Sequence, residues 1–163
     1  MENVTTDKAL NLVKLCVGAD TVEDLAEWQA HLIDTRRTEG LDPRPRHVTR
    51  QWPRRDGEIF RSSGQHGSLY WVIRGLILVR QRIDTFEECR GEDGILRCGI
   101  VLDPTLMRVE TRRRKVFQGW RYLPPGDAPP DLGPWRAAPA RRSRLPAALE
   151  AALDTVGVVE PVR

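Results

Sequence analysis

About seven short segments of this chain read as strands, punctuated by regular turn signals of Gly, Pro and Asp. They run over Ala9–Val17, Arg46–Trp52, Ser68–Arg74, Leu76–Glu88, Ile95–Leu102, Leu106–Arg112 and Phe117–Leu123. The strongest helical spacing is that of Val22, Leu25, Ala26, Gln29, Leu32 and Ile33, with Trp28 widening the stripe. Asp20 or Thr21 caps its start, Asp24 sits in the first turn and Glu39-Gly40 closes it. Many short strands and one good helix predict a small α+β domain. Its sheet is expected to be mostly antiparallel, strongly bent and partly closed into a barrel.

The chain is long enough for one domain, expected over residues 1–132, with an appendage over 133–163. Seven of the 12 prolines fall within 124–146, and Arg136–Arg144 adds four arginines. That reads as a linker. Leu145–Thr155 then reads as a short helix that Leu145, Leu149, Ala152, Leu153 and Val156 would dock. No apolar run is long enough to span a bilayer, and Met1–Thr6 is polar and mildly acidic. A cytoplasmic chain without a membrane partner is expected.

Within the strands, side chains alternate between faces. Leu69, Trp71 and Ile73 share one face, and Tyr70, Val72 and Arg74 the other. Gly75 marks a bulge or sharp bend. Beyond it Ile77, Val79, Gln81 and Ile83 share a face, with Arg80 and Arg82 opposite. In the last strand Gln118, Trp120 and Tyr122 share a face against Phe117, Gly119 and Arg121, and only one of these faces is expected to be core. If it is the Phe117 face, Gln118, Trp120 and Tyr122 form a stacking surface; if not, Trp120 is structural and Arg121 is exposed. Gln81 either satisfies a backbone group inside the fold or reads a base edge, because an amide donates and accepts together.

Charge is clustered. Residues 1–34 carry seven acids against two lysines, and residues 35–55 seven arginines against two acids. Residues 111–121 hold five basic groups and no acid. Of the 26 basic residues 23 are Arg. A GC-rich genome favours Arg over Lys but does not explain the clustering. Arg guanidinium pairs with phosphate and stacks on rings. Arg interleaved with Trp and Tyr on strands therefore points to nucleic acid, RNA rather than duplex DNA. The expected contacts are Arg50, Trp52, Tyr70, Arg74, Arg80, Gln81, Arg82, Arg112, Arg113, Arg114, Gln118, Trp120, Arg121 and Tyr122.

Enzyme chemistry finds little support. The sequence has no P-loop, dinucleotide GxGxxG, HExxH or GxSxG motif, and no CxxC. No cofactor or metal is expected. His66, with Asp56, Glu58 or Asp103 to assist, is the one candidate base, weighed against an idle loop histidine. Asp93-Gly94 reads as a two-residue hairpin turn that pairs Glu92 with Ile95 and sets Cys89 opposite Cys98, two reduced thiols.

The words HVTRQW (His47–Trp52), SLYWVIRGLILVRQRI (Ser68–Ile83), RCGIVLDP (Arg97–Pro104), FQGWRYL (Phe117–Leu123) and DAPPDL (Asp127–Leu132) resemble an alphaproteobacterial family, domain-of-unknown-function family 1489. The opening LVKLCVGADTVEDLAEWQ resembles its N-terminus. The likeness covers most of residues 10–132, and the Arg- and Pro-rich tail beyond Gly133 departs from it. It implies no activity. At the level of element order, a helix after the first strand and a bent barrel kinked at glycine is similar to the PUA-like group (PUA, ASCH and EVE domains). That resemblance implies RNA or a modified base as ligand. A non-enzymatic nucleic-acid-binding domain is the first expectation. The alternative is an interaction module whose tail docks a protein partner. An unrecognised hydrolase or nucleic-acid-modifying enzyme ranks last.

Overall fold

The computed structural model describes residues 8–115 and 117–137. The expected tail helix, Leu145–Thr155, lies outside them. Strand β1 (Asn11–Leu15) leads to helix α1 (Val22–Thr38), β2 (Arg46–Thr49), the one-turn helix α2 (Asp56–Ile59), β3 (Ser68–Ile73), β4 (Leu76–Arg90), β5 (Leu96–Leu102), β6 (Met107–Arg113), β7 (Trp120–Leu123) and β8 (Asp131–Pro134).

The helix starts where its cap says it should. Thr21 accepts from the Asp24 amide (3.1 Å), and the Asp24 carboxylate accepts from the Thr21 and Asp20 amides (3.2 and 2.9 Å). This reciprocal arrangement satisfies amides that have no intrahelical partner. At the far end Gly40 adopts φ +75° and ends the helix. Only Leu25 and Gln29 of α1 are fully buried.

All eight strands belong to one sheet, ordered β2-β5-β4-β3-β1-β7, with β6 beside β4 and β8 beside β6. Every pairing is antiparallel except β1 with β3. The 15-residue β4 organises it. Its first half lies between β3 and β6, and its second half pairs with β5. The partner changes at Ile83–Thr85, where the register slips. The sheet curls there: His47 on β2 meets Trp71 on β3 ring to ring at 5.2 Å, although β5 and β4 stand between their strands. The sheet is not closed, because β2 and β7 form no ladder with each other.

Several expectations change. Arg74 (φ 53°) and Gly75 (φ 79°) form a two-residue hairpin turn joining β3 to β4, not a bend within one run. Left-handed conformation at both central residues matches the strands' twist, and Gly takes it without strain. The bulge lies one step further on: Trp71 pairs with Val79 but Val72 pairs with Ile77, leaving Leu78 as an extra residue. One extra residue reverses the alternation. Ile77 therefore joins the opposite face from Val79.

The Asp93-Gly94 expectation is corrected as well. The loop is longer, with the Gly91 amide on the Ile95 carbonyl (3.1 Å), and Cys98 pairs with Glu88 while Cys89 pairs with Arg97. A one-residue shift puts the two thiols on opposite faces. β2 stops at Thr49, which leaves Arg50 and Trp52 outside the strand, and β7 begins at Trp120, which leaves Gln118 outside it. β8 spans the expected boundary at 132/133 and pairs with β6.

Both faces of the central strands are core, and all six residues of β3 are buried. The inner face carries Leu12, Leu69, Trp71, Ile73, Val79, Ile83, Ile100 and Leu102, with Leu25 of α1 against them. The outer face carries Val13, Tyr70, Val72, Ile77, Val109 and Leu123, with Phe117 and Ala128 packed on them. The single-core expectation for the last strand fails for this reason: Trp120 and Tyr122 pack on the inner cluster and Phe117 on the outer one.

Candidate functional site

The residues singled out from sequence fall into three groups and one exception. Gln81 is the exception. Fully buried, it receives Nε2–H of Gln29 (2.8 Å) and Nε1–H of Trp71 (2.8 Å) on its oxygen. It donates to Gln29 Oε1 (2.7 Å) and to the Asp103 carbonyl (3.0 Å). An amide offers two donors and two acceptor positions. All four are occupied within the protein, so Gln81 has none left for a base.

The first group lines a cavity of about 600 Å³ on the outer face, between β3, β4 and the segment leading into β8. Tyr70, Arg80 and Arg82 meet there with His66, Lys8 and the proline wall at 129–130. Between the lining residues His66 and Ser68, Gly67 is tightly packed: its amide bonds the Ile59 carbonyl (2.8 Å), and a Cβ at this position would fall 1.9 Å from the Leu10 carbonyl oxygen. Arg80 forms a two-pronged pair with Asp131 (2.8 and 2.6 Å) and donates to Ser68 (2.8 Å). Those hydrogen bonds hold the Asp131 carboxyl below its usual range. Burial raises the Tyr70 phenol, so it remains a neutral hydroxyl. Arg82 pairs with Asp84 (3.0 Å), which also holds Arg44 (3.3 Å). Arg44 continues to Asp42 (2.6 Å), and Arg46 joins Asp42 (3.8 Å) to Glu87. This chain of alternating charges occupies arginines that looked free in sequence.

The second group brackets the free edge of β7. Trp120 and Tyr122 stand edge to face, 4.9 Å apart. Trp120 Nε1 donates to the Gln51 carbonyl (3.2 Å), and Tyr122 Oη accepts from the Arg55 amide (3.1 Å). The Arg55 guanidinium lies 5.1 Å over the Tyr122 ring. Trp52, 40% exposed, reaches Asp56 (3.3 Å) and meets Phe86 at 5.7 Å. Arg50 is exposed beside it.

The third group is a basic end. Arg112 and Arg113 pair with Ile77 and Leu76, next to the Arg74-Gly75 turn. The Arg114 amide bonds the Gly75 carbonyl (2.8 Å). The guanidinium groups of Arg114 and Arg121 lie over the Phe117 ring at 5.4 and 4.9 Å. Arg112 has one long ion pair, to Glu110 (3.9 Å). Among the described residues no carboxylate lies within ion-pair distance of Arg113, Arg114, Lys115 or Arg121. Arg74 reaches Asp20 at 3.6 Å, and Gln118 is exposed, its carbonyl accepting from Arg121 (2.9 Å).

Catalytic geometry is thin. His66 Nδ1 is bonded to the Ile83 carbonyl (2.8 Å), Asp56 is engaged by Trp52 and Glu58 by Arg55. The Asp103 carboxylate accepts from the Thr105 amide (2.8 Å). None of these acids is hydrogen-bonded to His66. Burial pushes the Cys16 and Cys98 thiols up to about 12, so both stay protonated at neutral pH. Among the described residues no cluster of three His, Cys, Asp or Glu is placed to hold a metal ion. No described helix is long and apolar enough to cross a membrane.

Sequence reading noted His47 only as a strand residue and passed over Lys14; both lie on the inner face, in register with Ile100 and Trp71. Both lie in strands beside large aromatics, and a lysine on the apolar side of an alternating strand is the signal that marks them. No curated protein and no solved structure matches the chain. A family match does, over residues 12–159, and it runs through the Pro- and Arg-rich segment that sequence reading had set apart. On that match, the chain belongs to the family described as "Protein of unknown function (DUF1489)".

Proposed function

We propose that this chain is a non-enzymatic nucleic-acid-binding domain that takes a single strand, RNA in preference to duplex DNA. The observation that carries the reading is the basic end. Two guanidinium groups flank Phe117, beside Arg112, Arg113 and Lys115, and among the described residues the one carboxylate near this group is Glu110, 3.9 Å from Arg112. Unpaired surface cations attract a polyanion and release its counterions. The free edge of β7 adds the aromatic component: Trp120 and Tyr122 from one side, Arg121 and Phe117 from the other. A flexible strand laid along that edge meets rings and charges together, which suits single strands better than a rigid duplex. The cavity bounded by Tyr70 and Arg80 is large enough for one nucleotide unit.

The test is fluorescence-anisotropy binding to short single-stranded RNA, single-stranded DNA and duplex DNA at two salt concentrations. Wild type is compared with Trp120→Ala and with a variant carrying alanine at Arg112, Arg113, Arg114 and Lys115. The reading expects salt-dependent single-strand binding, weakened by Trp120→Ala. The fourfold variant should lower the salt slope by about 3, at roughly 0.7 per phosphate contact on single strands. No binding at low salt, or an unchanged slope in the fourfold variant, rejects it.

A further inference from the structure

One face of α1 forms the wall of a groove of about 530 Å³. Ala26, Ala30 and Ile33, three or four residues apart, line it on the helix side. Leu106, after the turn that leaves β5, and Trp135, just past β8, line it on the other. The Trp135 amide bonds the Leu106 carbonyl (2.7 Å), which fixes the chain at the rim of the groove. Leu106 is buried, Trp135 packs on the inner core cluster and Ala30 is exposed. Gln29, the polar residue on this side of α1, is paired with Gln81. What the groove offers is therefore mainly apolar, and an apolar groove on a folded surface marks a docking place.

The chain itself supplies the occupant. Ala137, the last described residue, stands two positions beyond Trp135, and residues 138–163 follow from there. In that segment Leu145, Leu149, Ala152, Leu153 and Val156 recur with the period of a helix and make one apolar stripe. The eight steps from Ala137 to Leu145 span up to about 27 Å when extended, so the stripe can reach any part of the groove. A helix over 145–156 is about 18 Å long, against about 25 Å for α1. Ala26 and Ala30 are small and admit a second helix at close range. Charge matches as well. Glu23, Glu27 and Asp34 are exposed, and each lies three or four residues from Ala26 or Ala30, along one border of the groove. Among the described residues none of the three holds an ion pair. The stretch that leads to the stripe carries Arg136, Arg141, Arg142 and Arg144. The family match runs to residue 159 and so takes in the stripe together with the sheet and α1.

We propose that the segment Leu145–Val156 of the same chain lies in this groove as a short helix. Its leucines rest on Ala26, Ala30, Ile33 and Trp135, and the arginines before it run beside Glu23, Glu27 and Asp34. α1 is then held between the sheet, through Leu25, and the tail, through Ala30. The tail is part of the domain and not an appendage to it. Arg112, Arg113, Arg114 and Lys115 do not line the groove, so the docking does not depend on nucleic-acid binding.

The test is hydrogen–deuterium exchange of the full chain, read at residues 26–33 and 145–156. Wild type is compared with Ala30→Arg and with a variant carrying both Leu149→Asp and Leu153→Asp. Position 30 is exposed and arginine is a good helix former, so Ala30→Arg leaves α1 intact. It places a long cation in the apolar groove, where it also repels the tail arginines. Docking predicts that amides at 145–156 exchange at least about tenfold more slowly in wild type than in Ala30→Arg, a substitution more than a hundred residues away in sequence. The double tail variant should speed exchange at 26–33. Light scattering should give the mass of a monomer, with the same protection at low and high protein concentration. Circular dichroism checks that each variant is folded. Tail exchange as fast in wild type as in folded Ala30→Arg overturns the proposal. Exchange at 26–33 that the double tail variant leaves unchanged gives the groove to another occupant and overturns it too. Protection that grows with concentration gives the groove to a second copy, which also overturns it.

Discussion

Gln29 of α1 and Gln81 of β4 face each other amide to amide, each donating to the other's oxygen at 2.8 and 2.7 Å across 52 residues of sequence. Trp71 and the Asp103 carbonyl complete the set, so helix, two strands and the β5–β6 turn meet at one polar point in an apolar core. Replacing Gln81 by Leu strands the Gln29 amide, the Trp71 indole and the Asp103 carbonyl together. A buried group left unpaired costs about 1–3 kcal/mol. Gln81→Leu should therefore lower stability by about 3 kcal/mol in chemical denaturation. A double-mutant cycle with Gln29→Leu should show coupling of at least about 1 kcal/mol, because the pair fails as a unit. Single-strand affinity of the folded fraction should not change.

His47 makes stability depend on pH in a definite direction. Its folded value is lowered from 6.5 to about 3 by burial. Between those values the unfolded chain takes up a proton that the folded chain refuses. The contribution is therefore complete above pH 6.5 and is lost as pH falls toward 3. Urea melts should show this component with a slope of up to about 1.4 kcal/mol per pH unit. His47→Phe should remove that component while leaving the rest of the acid limb.

Gly67 is tight because of space, not torsion. A methyl group there would sit 1.9 Å from the Leu10 carbonyl oxygen and 2.9 Å from its carbon, both backbone atoms. β1 cannot retreat without breaking its ladder with β3. Gly67→Ala should cost about 2–3 kcal/mol, as overpacking against rigid neighbours does. Gly64→Ala also introduces strain, since Gly64 has φ +94°, but it meets open space. Thermal melts of the two variants separate crowding from torsional strain.

The Arg80–Asp131 pair ties β8 to the body of the sheet while partly exposed to water. Asp131→Asn should cost about 1 kcal/mol or less at neutral pH, because solvent screens the pair. The carboxyl is held below its ordinary 3.8, so the stabilisation is present above that value and disappears as pH falls through the folded one. Wild type and Asp131→Asn should then converge in acid, which melts at pH 7 and at successively lower pH below 3.8 would reveal. The same substitution frees Arg80 within the cavity and should strengthen binding of a phosphate-bearing ligand there.

How far the fold can be read from residues depends on how local the cause is. The Thr21–Asp24 cap, the Gly40 stop and the strand character of Ser68–Ile73 follow from neighbouring side chains and were legible. The basic run at 112–115 was legible too, since charge density needs no partner to be recognised. The Leu78 bulge was not, because Leu76–Val79 is an unbroken apolar run that marks neither face, and only pairing with β3 shows the extra residue. Nor was the Cys89–Arg97 register, where five loop residues compete with a two-residue turn of good local chemistry.

By themselves the residues of this chain determined that it would form short strands, one well-capped helix and a clustered positive charge. Those properties arise from backbone sterics, side-chain alternation and ionisation, each settled within a few positions of sequence. Tertiary structure alone decided that both sheet faces are core and that Arg82 and Arg80 are occupied by Asp84 and Asp131. It also decided that Gln81 spends its amide on Gln29, and that His47 Nε2 is buried without a hydrogen bond beside the Trp71 ring. Hydrogen bonding and ion pairing are short-ranged. Whether a polar side chain is spent or left free is therefore set by what the curled sheet brings within about 3–4 Å of it, however far apart the partners lie along the chain.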